Sequence, residues 1–169
     1  MRRWTGVALA LAAAATMGAA TDGAAQDVSL PLGATVPDAG LEDLDGNPVR
    51  LQDAIGGRPA LLQVWATWCP LCEELQPQLD RIRAEHGDGL AMVAIAVAVN
   101  QNPRRIKRHL ERHALGFPVL YDARGEAVRG LEAATTSIVV LLDAEGRVAY
   151  TGVGADQDLV AAVESLLGG

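Results

Sequence analysis

Three long apolar runs dominate the chain: ALLQVWA at 60–66, LAMVAIAVAV at 90–99 and SIVVLLD at 137–143. Each is bounded by turn-forming residues and reads as a buried strand, because a strand covered on both faces loses the usual apolar/polar alternation. FPVLYD at 117–122 is a shorter strand that stops at the Arg124-Gly125 turn, and RVAYTGV at 147–153 follows SIVVLLD through the turn DAEG. Ahead of these, LEDLDGNPVRL at 41–51 predicts a hairpin about Asp45-Gly46-Asn47, with an extended lead-in over 26–40. Helical spacing takes over between the strands. Cys72, Leu75, Leu79 and Ile82 form one apolar stripe, which predicts a helix that ends at His86-Gly87 and bends at Pro77. Asn102-Pro103 is a cap and first-turn signal for a second helix, with Ile106, Leu110 and Ala114 on its inner face. DLVAAVESLL at 158–167 closes the chain as an amphipathic helix. Strands alternating with helices predict an α/β fold with a parallel core, to which the last tight turn adds an antiparallel pair.

The N-terminus changes the compartment. Arg2 and Arg3 precede an alanine-rich apolar run from Gly6 to Ala20, and small residues follow in MGAATDGAAQ. That is the layout of a secretory signal, with cleavage expected after Ala25 or, less favoured, Ala20. Residues 1–25 are therefore expected to be a signal peptide and 26–169 the folded domain, in the periplasm or another extracytoplasmic space. The run is short and poor in Leu and Ile for a bilayer span of about 20 residues. Membrane attachment is expected only if the segment stays uncleaved. Removing Arg2, Arg3 and Asp22 leaves 12 basic against 20 acidic residues, a charge of −8 where the full chain carries −7. Such a domain has little affinity for nucleic acid or anionic lipid. The basic stretch RRIKRHLERH at 104–113 reads as a solvated helix face, with a docking surface for an acidic partner as the alternative.

The two cysteines, Cys69 and Cys72, both fall in WATWCPLC at 65–72. Outside the cytoplasm an even pair is free to oxidise. A bridge across so small a loop constrains little of the unfolded chain, so stapling is a weak reason for the pair. Two thiolates at this spacing also suit a soft ion such as Cu(I) or Zn, although a closed zinc site takes four ligands and no second pair exists. The position is what favours redox chemistry. Cys69 stands where a buried strand gives way to a helix, with Pro70 at the first helical position. The free amides and dipole of a helix start favour negative charge, which predicts a thiolate at Cys69 and a thiol pKa below the usual value of about 8.5. Cys72, one turn on, lies on the apolar stripe. The sequence thus predicts an exposed nucleophile, Cys69, beside a shielded partner, Cys72. Trp65 is expected in the core and Trp68 at the rim.

At this point WATWCPLC resembles the active-site stretch of the thioredoxin superfamily, and more narrowly of TlpA/ResA-like proteins within the redoxin and AhpC/TSA group. The resemblance extends through GATVPDAGLEDLDGNPVRLQDAIGGRPALLQVWATWC, FPVLYD and VVLLDAEGRVAYTGVG, nearly all of the mature chain. It implies a thioredoxin-like mixed sheet flanked by helices with an N-terminal β-hairpin, and a periplasmic or membrane-facing thiol-disulfide oxidoreductase without a cofactor. Some relatives of this kind reduce apocytochrome c or copper-site cysteines. Partners would be protein thiol or disulfide clients and an unidentified electron donor. By position, Cys69 is the attacking thiol and Cys72 the resolving thiol, with Trp68, Pro70, Thr136 and Ser137 forming the rim. Three positions depart from the family pattern. Gln63 stands where thioredoxins carry an Asp beneath the resolving cysteine. Leu75 replaces a Glu common three residues after it, although Pro77 keeps its place. Ser137 occupies the position of the cis-proline, so the Thr136–Ser137 bond is expected to be trans, with the hydroxyl near Cys69. Ala66 takes the slot where peroxiredoxins place a Thr, which disfavours a peroxidase, and Glu73 rather than His follows Cys72, which excludes a haem attachment motif. His109 and His113 read as solvated surface and His86 as a helix C-terminal residue. The alternative from another class is a soft-metal (copper) binding or delivery protein using the same two cysteines.

Overall fold

The computed structural model describes residues 28–168, so the expected signal segment lies outside the described residues. The chain runs β1 (Gly40–Glu42), β2 (Pro48–Arg50), α1 (Leu51–Ile55), β3 (Ala60–Trp65), α2 (Pro70–His86), β4 (Ala91–Val97), α3 (Pro103–Leu110), β5 (Val119–Asp122), α4 (Glu126–Gly130), β6 (Ile138–Leu142), β7 (Val148–Val153) and α5 (Leu159–Leu167). The strands make one seven-stranded sheet in the order β2-β1-β5-β4-β3-β6-β7. Its centre is parallel, with β3 beside β4 and β4 beside β5, while β6, β7 and the β1–β2 hairpin run antiparallel to their neighbours. This is the mixed sheet, with its N-terminal β pair, that the order of elements predicts.

Every residue of β3, β4 and β6 is buried, which is why these strands appear as unbroken apolar runs. Side chains of β3 divide between two cores. Leu61, with Val139 and Leu141, packs under Leu75, Leu79 and Ile82 of α2 and Leu159 and Val163 of α5. Leu62 and Val64 face the opposite layer, with Leu51, Ile55, Ile106 and Leu131. Each such Leu or Ile contributes about 1.5–3 kcal/mol when fully buried, so the sheet whose strand β3 leads to the cysteines is held from both sides.

Local chemistry sets the ends of the elements. Asp43 accepts hydrogen bonds from the amides of Asp45 (2.8 Å) and Asn47 (2.9 Å) and closes the hairpin, and Asp143 does the same for Glu145 (3.0 Å) and Arg147 (2.8 Å) before β7. Asn47 Nδ2 also donates to Asp43 Oδ2 at 2.7 Å. This side-chain bond first for Asp43, and the Arg147 amide first for Asp143, hold both carboxyls below the usual range. Asn102 Oδ1 accepts from Arg105 N at 3.0 Å and starts α3. Helix α2 ends at Gly87, whose amide donates to Arg83 O.

Helix α2 runs through Pro77 as one 17-residue element. Pro77 is exposed, and the Glu73 carbonyl it leaves without an amide is on a solvent-facing side of the helix. Helix α3 stops at Leu110, so Ala114, expected on its inner stripe, lies beyond it and is exposed. The five-residue helices α1 and α4 are too short to show a 3.6-residue period.

Candidate active site

Strand β3 ends at Trp65, the chain turns so that Cys69 N donates to Ala66 O (3.2 Å), and α2 begins at Pro70. Proline there lacks the amide that a first helical turn leaves unpaired in any case. Cys69 is the N-cap. Its sulfur, where Ser or Asp would ordinarily place an oxygen, accepts a hydrogen bond from Cys72 N at 3.1 Å, and its carbonyl receives the amides of Cys72 (3.1 Å) and Glu73 (3.4 Å). Cys69 and Cys72 are joined in a disulfide, with their Cα atoms 5.3 Å apart.

Burial overturns one expectation. Cys72 is shielded, at 1% exposure, but Cys69 is equally enclosed at 3%. In the oxidised pair Cys69 Sγ is tied to a sulfur on the inner stripe of α2, and this draws it into the core cluster with Val64, Trp65 and Ala66. The exposed edge belongs to their neighbours. Trp68 is 40% and Leu71 42% exposed, and Pro70 is exposed at the helix start. Trp68 Nε1 donates to Val99 O at 2.9 Å. With Val64, Val97, Val99, Ala133, Thr135 and Thr136, Trp68 lines an apolar groove of about 330 Å³. Trp65 is in the core, as expected.

Among the described residues, Ser137 is linked to the pair only through the Val64 carbonyl. Its amide donates to Val64 O at 2.8 Å, and the same carbonyl lies 3.9 Å from Cys72 Sγ. The described peptide bonds are all trans, including Thr136–Ser137 as expected. The hydroxyl is not where the sequence placed it. Ser137 sits at φ +61, and its Oγ accepts from Gly154 N at 3.3 Å. Among the described residues it makes no hydrogen bond to either sulfur. The left-handed backbone turns the side chain towards the β7 end instead. A non-glycine residue in that region costs of order 1–3 kcal/mol and persists only where neighbours over-determine it. Gln157 supplies much of that constraint, donating from Nε2 to Ser137 O (3.2 Å) and Gly154 O (2.7 Å) while its Oε1 accepts from Tyr150 (3.2 Å).

Gln157 and Gln101 are the positioning residues that sequence reasoning missed. Gln101, also buried, accepts from Thr67 N at 2.9 Å and donates to Val97 O at 2.6 Å, lashing the loop after β4 to the turn before Cys69. Neither belongs to a motif. A glutamine that serves backbone groups distant in sequence gives no local signal.

Gln63 lies between Ala94 of β4 and Val139 of β6 in register, and is fully buried. Neither Oε1 nor Nε2 has a hydrogen-bond partner. An unpaired buried amide costs about 1–3 kcal/mol, so Gln63→Leu is expected to raise the urea-unfolding free energy by about that amount. A loss of stability of similar size would show that the amide is satisfied in solution. Leu75 is wholly core, so neither family carboxylate position offers a charge here.

His109 sets its ring edge-on to Trp65, 5.6 Å between centroids, and stacks on His113 at 4.7 Å. It is partly buried, a departure from the solvated surface expected of it. Burial, and then the neighbouring His113, hold its imidazole below the usual range. His86 ends α2 as expected. Among the described residues, the grouping of three candidate metal ligands is Glu85, His86 and Glu164, at the far end of α2 and without either cysteine.

Residues 31–167 match the Redoxin family. The thiol-disulfide oxidoreductase ResA of Geobacillus thermodenitrificans (strain NG80-2) is 27% identical over 143 residues, which cover 83% of this chain and 81% of ResA. The thioredoxin-like protein YneN of Bacillus subtilis (strain 168) is 33% identical over 101 residues, and the chain spans 59% of YneN's length. Among solved structures, the thioredoxin domain of the thiol-disulfide oxidoreductase BVU-2223 from Bacteroides vulgatus superposes with a TM-score of 0.69 at 22% identity, over 81% of this chain and 98% of that domain. The likeness to BVU-2223 establishes the thioredoxin-like fold.

Proposed function

The chain belongs to the redoxin family and is a thiol-disulfide oxidoreductase, and from that premise we propose that it works outside the cytoplasm on protein clients, with Cys69 as nucleophile and Cys72 as resolving thiol. The observation that carries the assignment of roles is the hydrogen bond from Cys72 N to Cys69 Sγ at the start of α2. Once the disulfide is reduced, that donor and the helix dipole favour the thiolate at Cys69. Cys72 Sγ faces the Val64 carbonyl instead, an acceptor that suits a protonated thiol.

The reaction follows from this asymmetry. Cys69 thiolate attacks one sulfur of a client disulfide. The Cys69–client bond forms, the client S–S bond breaks, and the departing client sulfur takes a proton. Cys72, losing its proton, then attacks Cys69 Sγ. The second client thiol leaves, and the Cys69–Cys72 disulfide is restored. Two electrons have passed to the client, whose two sulfurs take up two protons; the proton released by Cys72 balances one, and water supplies the other because Cys69 enters already ionised. The reverse sequence oxidises a client dithiol, and the partner's potential sets the direction. No buried carboxylate lies at position 63 or 75 to accept the Cys72 proton, so it passes to water or to the departing client thiolate. The apolar groove beside Trp68 supports a polypeptide client, since it offers a dry surface for the residues flanking the attacked sulfur. Export rests on the signal-like sequence of residues 1–25.

Titrating the purified protein against glutathione, with intact mass as the readout, tests the redox role. The expected result is reversible gain and loss of two hydrogens, with a midpoint between about −270 and −120 mV. A pair that stays oxidised below about −300 mV, the range of structural disulfides, would contradict it.

A further inference from the structure

Three of the four large hydrophobic side chains exposed among the described residues, Trp68, Leu71 and Val99, surround the disulfide, and the fourth is Leu32. Exposed apolar side chains gathered in one place mark an interaction surface. Beside this ridge the charge of the protein reverses. The full chain carries 14 basic and 21 acidic residues, yet five of the basic ones, Arg104, Arg105, Lys107, Arg108 and Arg112, fall within nine positions on and just after α3. Ile106 is buried, whereas all five cations are exposed.

The placement of α3 is fixed by the site. Gln101 clasps Thr67 N, and Trp68 Nε1 reaches Val99 O. The loop so anchored leads directly into Asn102 and the first turn of α3. Further along, His109 meets Trp65, four residues before Cys69. The basic helix therefore runs alongside the strand end and turn that hold Cys69. Four of its five cations are also uncommitted among the described residues. Lys107 pairs with Asp45 of the β1–β2 turn, but among the described residues no ion pair engages Arg104, Arg105, Arg108 or Arg112. A solvated helix face in an acidic domain ordinarily carries mixed charge. Here four free guanidinium groups border an apolar ridge at a redox centre.

We propose that the protein exchanging electrons with this chain presents an acidic segment beside its reactive cysteine, and that this segment lies along Arg104, Arg105, Arg108 and Arg112 while Trp68, Leu71 and Val99 cover the sulfurs. The inference rests on the oxidoreductase reading and adds the partner's chemistry. Opposite charge across such a contact raises the rate of encounter by about tenfold or more at low salt, and arginine forks suit carboxylates.

Two synthetic peptides with the same internal disulfide, flanked by glutamates in one and by lysines in the other, provide the test. Their exchange with the reduced full chain is followed by stopped-flow tryptophan fluorescence. Each rate is divided by the rate of dithiothreitol with the same peptide, which removes the intrinsic reactivity of the disulfide. At low ionic strength the glutamate peptide is expected to be favoured by about tenfold or more, with the ratio falling towards one in about 0.5 M salt as screening shortens the reach of the charges. The variant R105E/R108E/R112E is expected to invert the order, and the milder R105Q/R108Q to remove most of the preference if the triple variant does not fold. Equal rates, a preference for lysine, or a preference that survives in a folded variant would overturn the proposal. So would arginine-dependent binding to phosphatidylglycerol vesicles without peptide discrimination, which would assign the strip to a membrane. If reduced protein exchanges with neither peptide, and its disulfide is not opened by dithiothreitol, the oxidoreductase reading fails and the inference fails with it.

Discussion

Cys69→Ser is expected to lower the rate of protein-disulfide reduction by at least about 10³-fold, the scale of losing a covalent nucleophile, with the fold intact. The site explains both halves of that outcome. The hydroxyl keeps the N-cap function, because an oxygen can accept the Cys72 amide that Cys69 Sγ now receives at 3.1 Å, and Ser is a preferred cap. What disappears is the thiolate, since a serine hydroxyl with no base nearby does not attack sulfur. Cys72 cannot substitute, being on the inner stripe of α2 at 1% exposure with the Val64 carbonyl beside it. Insulin turbidity with dithiothreitol as donor, alongside a far-UV melt, measures both quantities. Retention of more than about a tenth of the wild-type rate would move the nucleophile elsewhere.

Ser137→Pro is the second large effect, here on stability. Proline holds φ near −65°, whereas Ser137 stands at φ +61. Proline also removes the amide that donates to Val64 O at 2.8 Å. The substitution therefore does not simply restore the loop of the wider family. It collides with a backbone that Gln157 and Gly154 hold in the left-handed region. A cost of about 3 kcal/mol or more is expected, seen as a fall in Tm of about 6–12 °C for a domain of this size. Ser137→Gly, which tolerates positive φ, is expected to stay within about 1 kcal/mol of wild type. A proline variant that melts at the wild-type temperature would mean that the loop has a second conformation of nearly equal energy.

These two residues also show what could be read from the chain and what could not. The central strands were legible because burial on both faces leaves them apolar throughout. Helix α2 was legible because Cys72, Leu75, Leu79 and Ile82 mark its stripe without interruption, and all four are buried. The position of the cysteines at a strand-to-helix junction followed from those two elements. The departures have equally physical causes. Helices α1 and α4 are single turns, below the length at which a period shows. Cys69 is expected to be exposed because it starts the helix ahead of the apolar stripe, but the disulfide to an inward cysteine holds its sulfur in the core cluster. The direction of the Ser137 hydroxyl depends on its sign of φ, and that backbone is held by hydrogen bonds with Val64, Gly154 and Gln157, all distant in sequence. Gln101 likewise acts on Thr67 across a loop. Bonds between distant side chains and backbone groups leave no pattern in one dimension, so the supports of the site were invisible although its sulfurs were not.

The division of labour between the two sulfurs is the central claim, and trapping tests it most directly. Cys72→Ser is incubated with a disulfide-bonded protein substrate, quenched in acid, digested without reduction and mapped by mass spectrometry, beside Cys69→Ser treated identically. The account predicts a stable mixed disulfide between Cys69 and the substrate in the first variant, and little or none at Cys72 in the second. Equal trapping at both cysteines, or trapping at Cys72 alone, would contradict it.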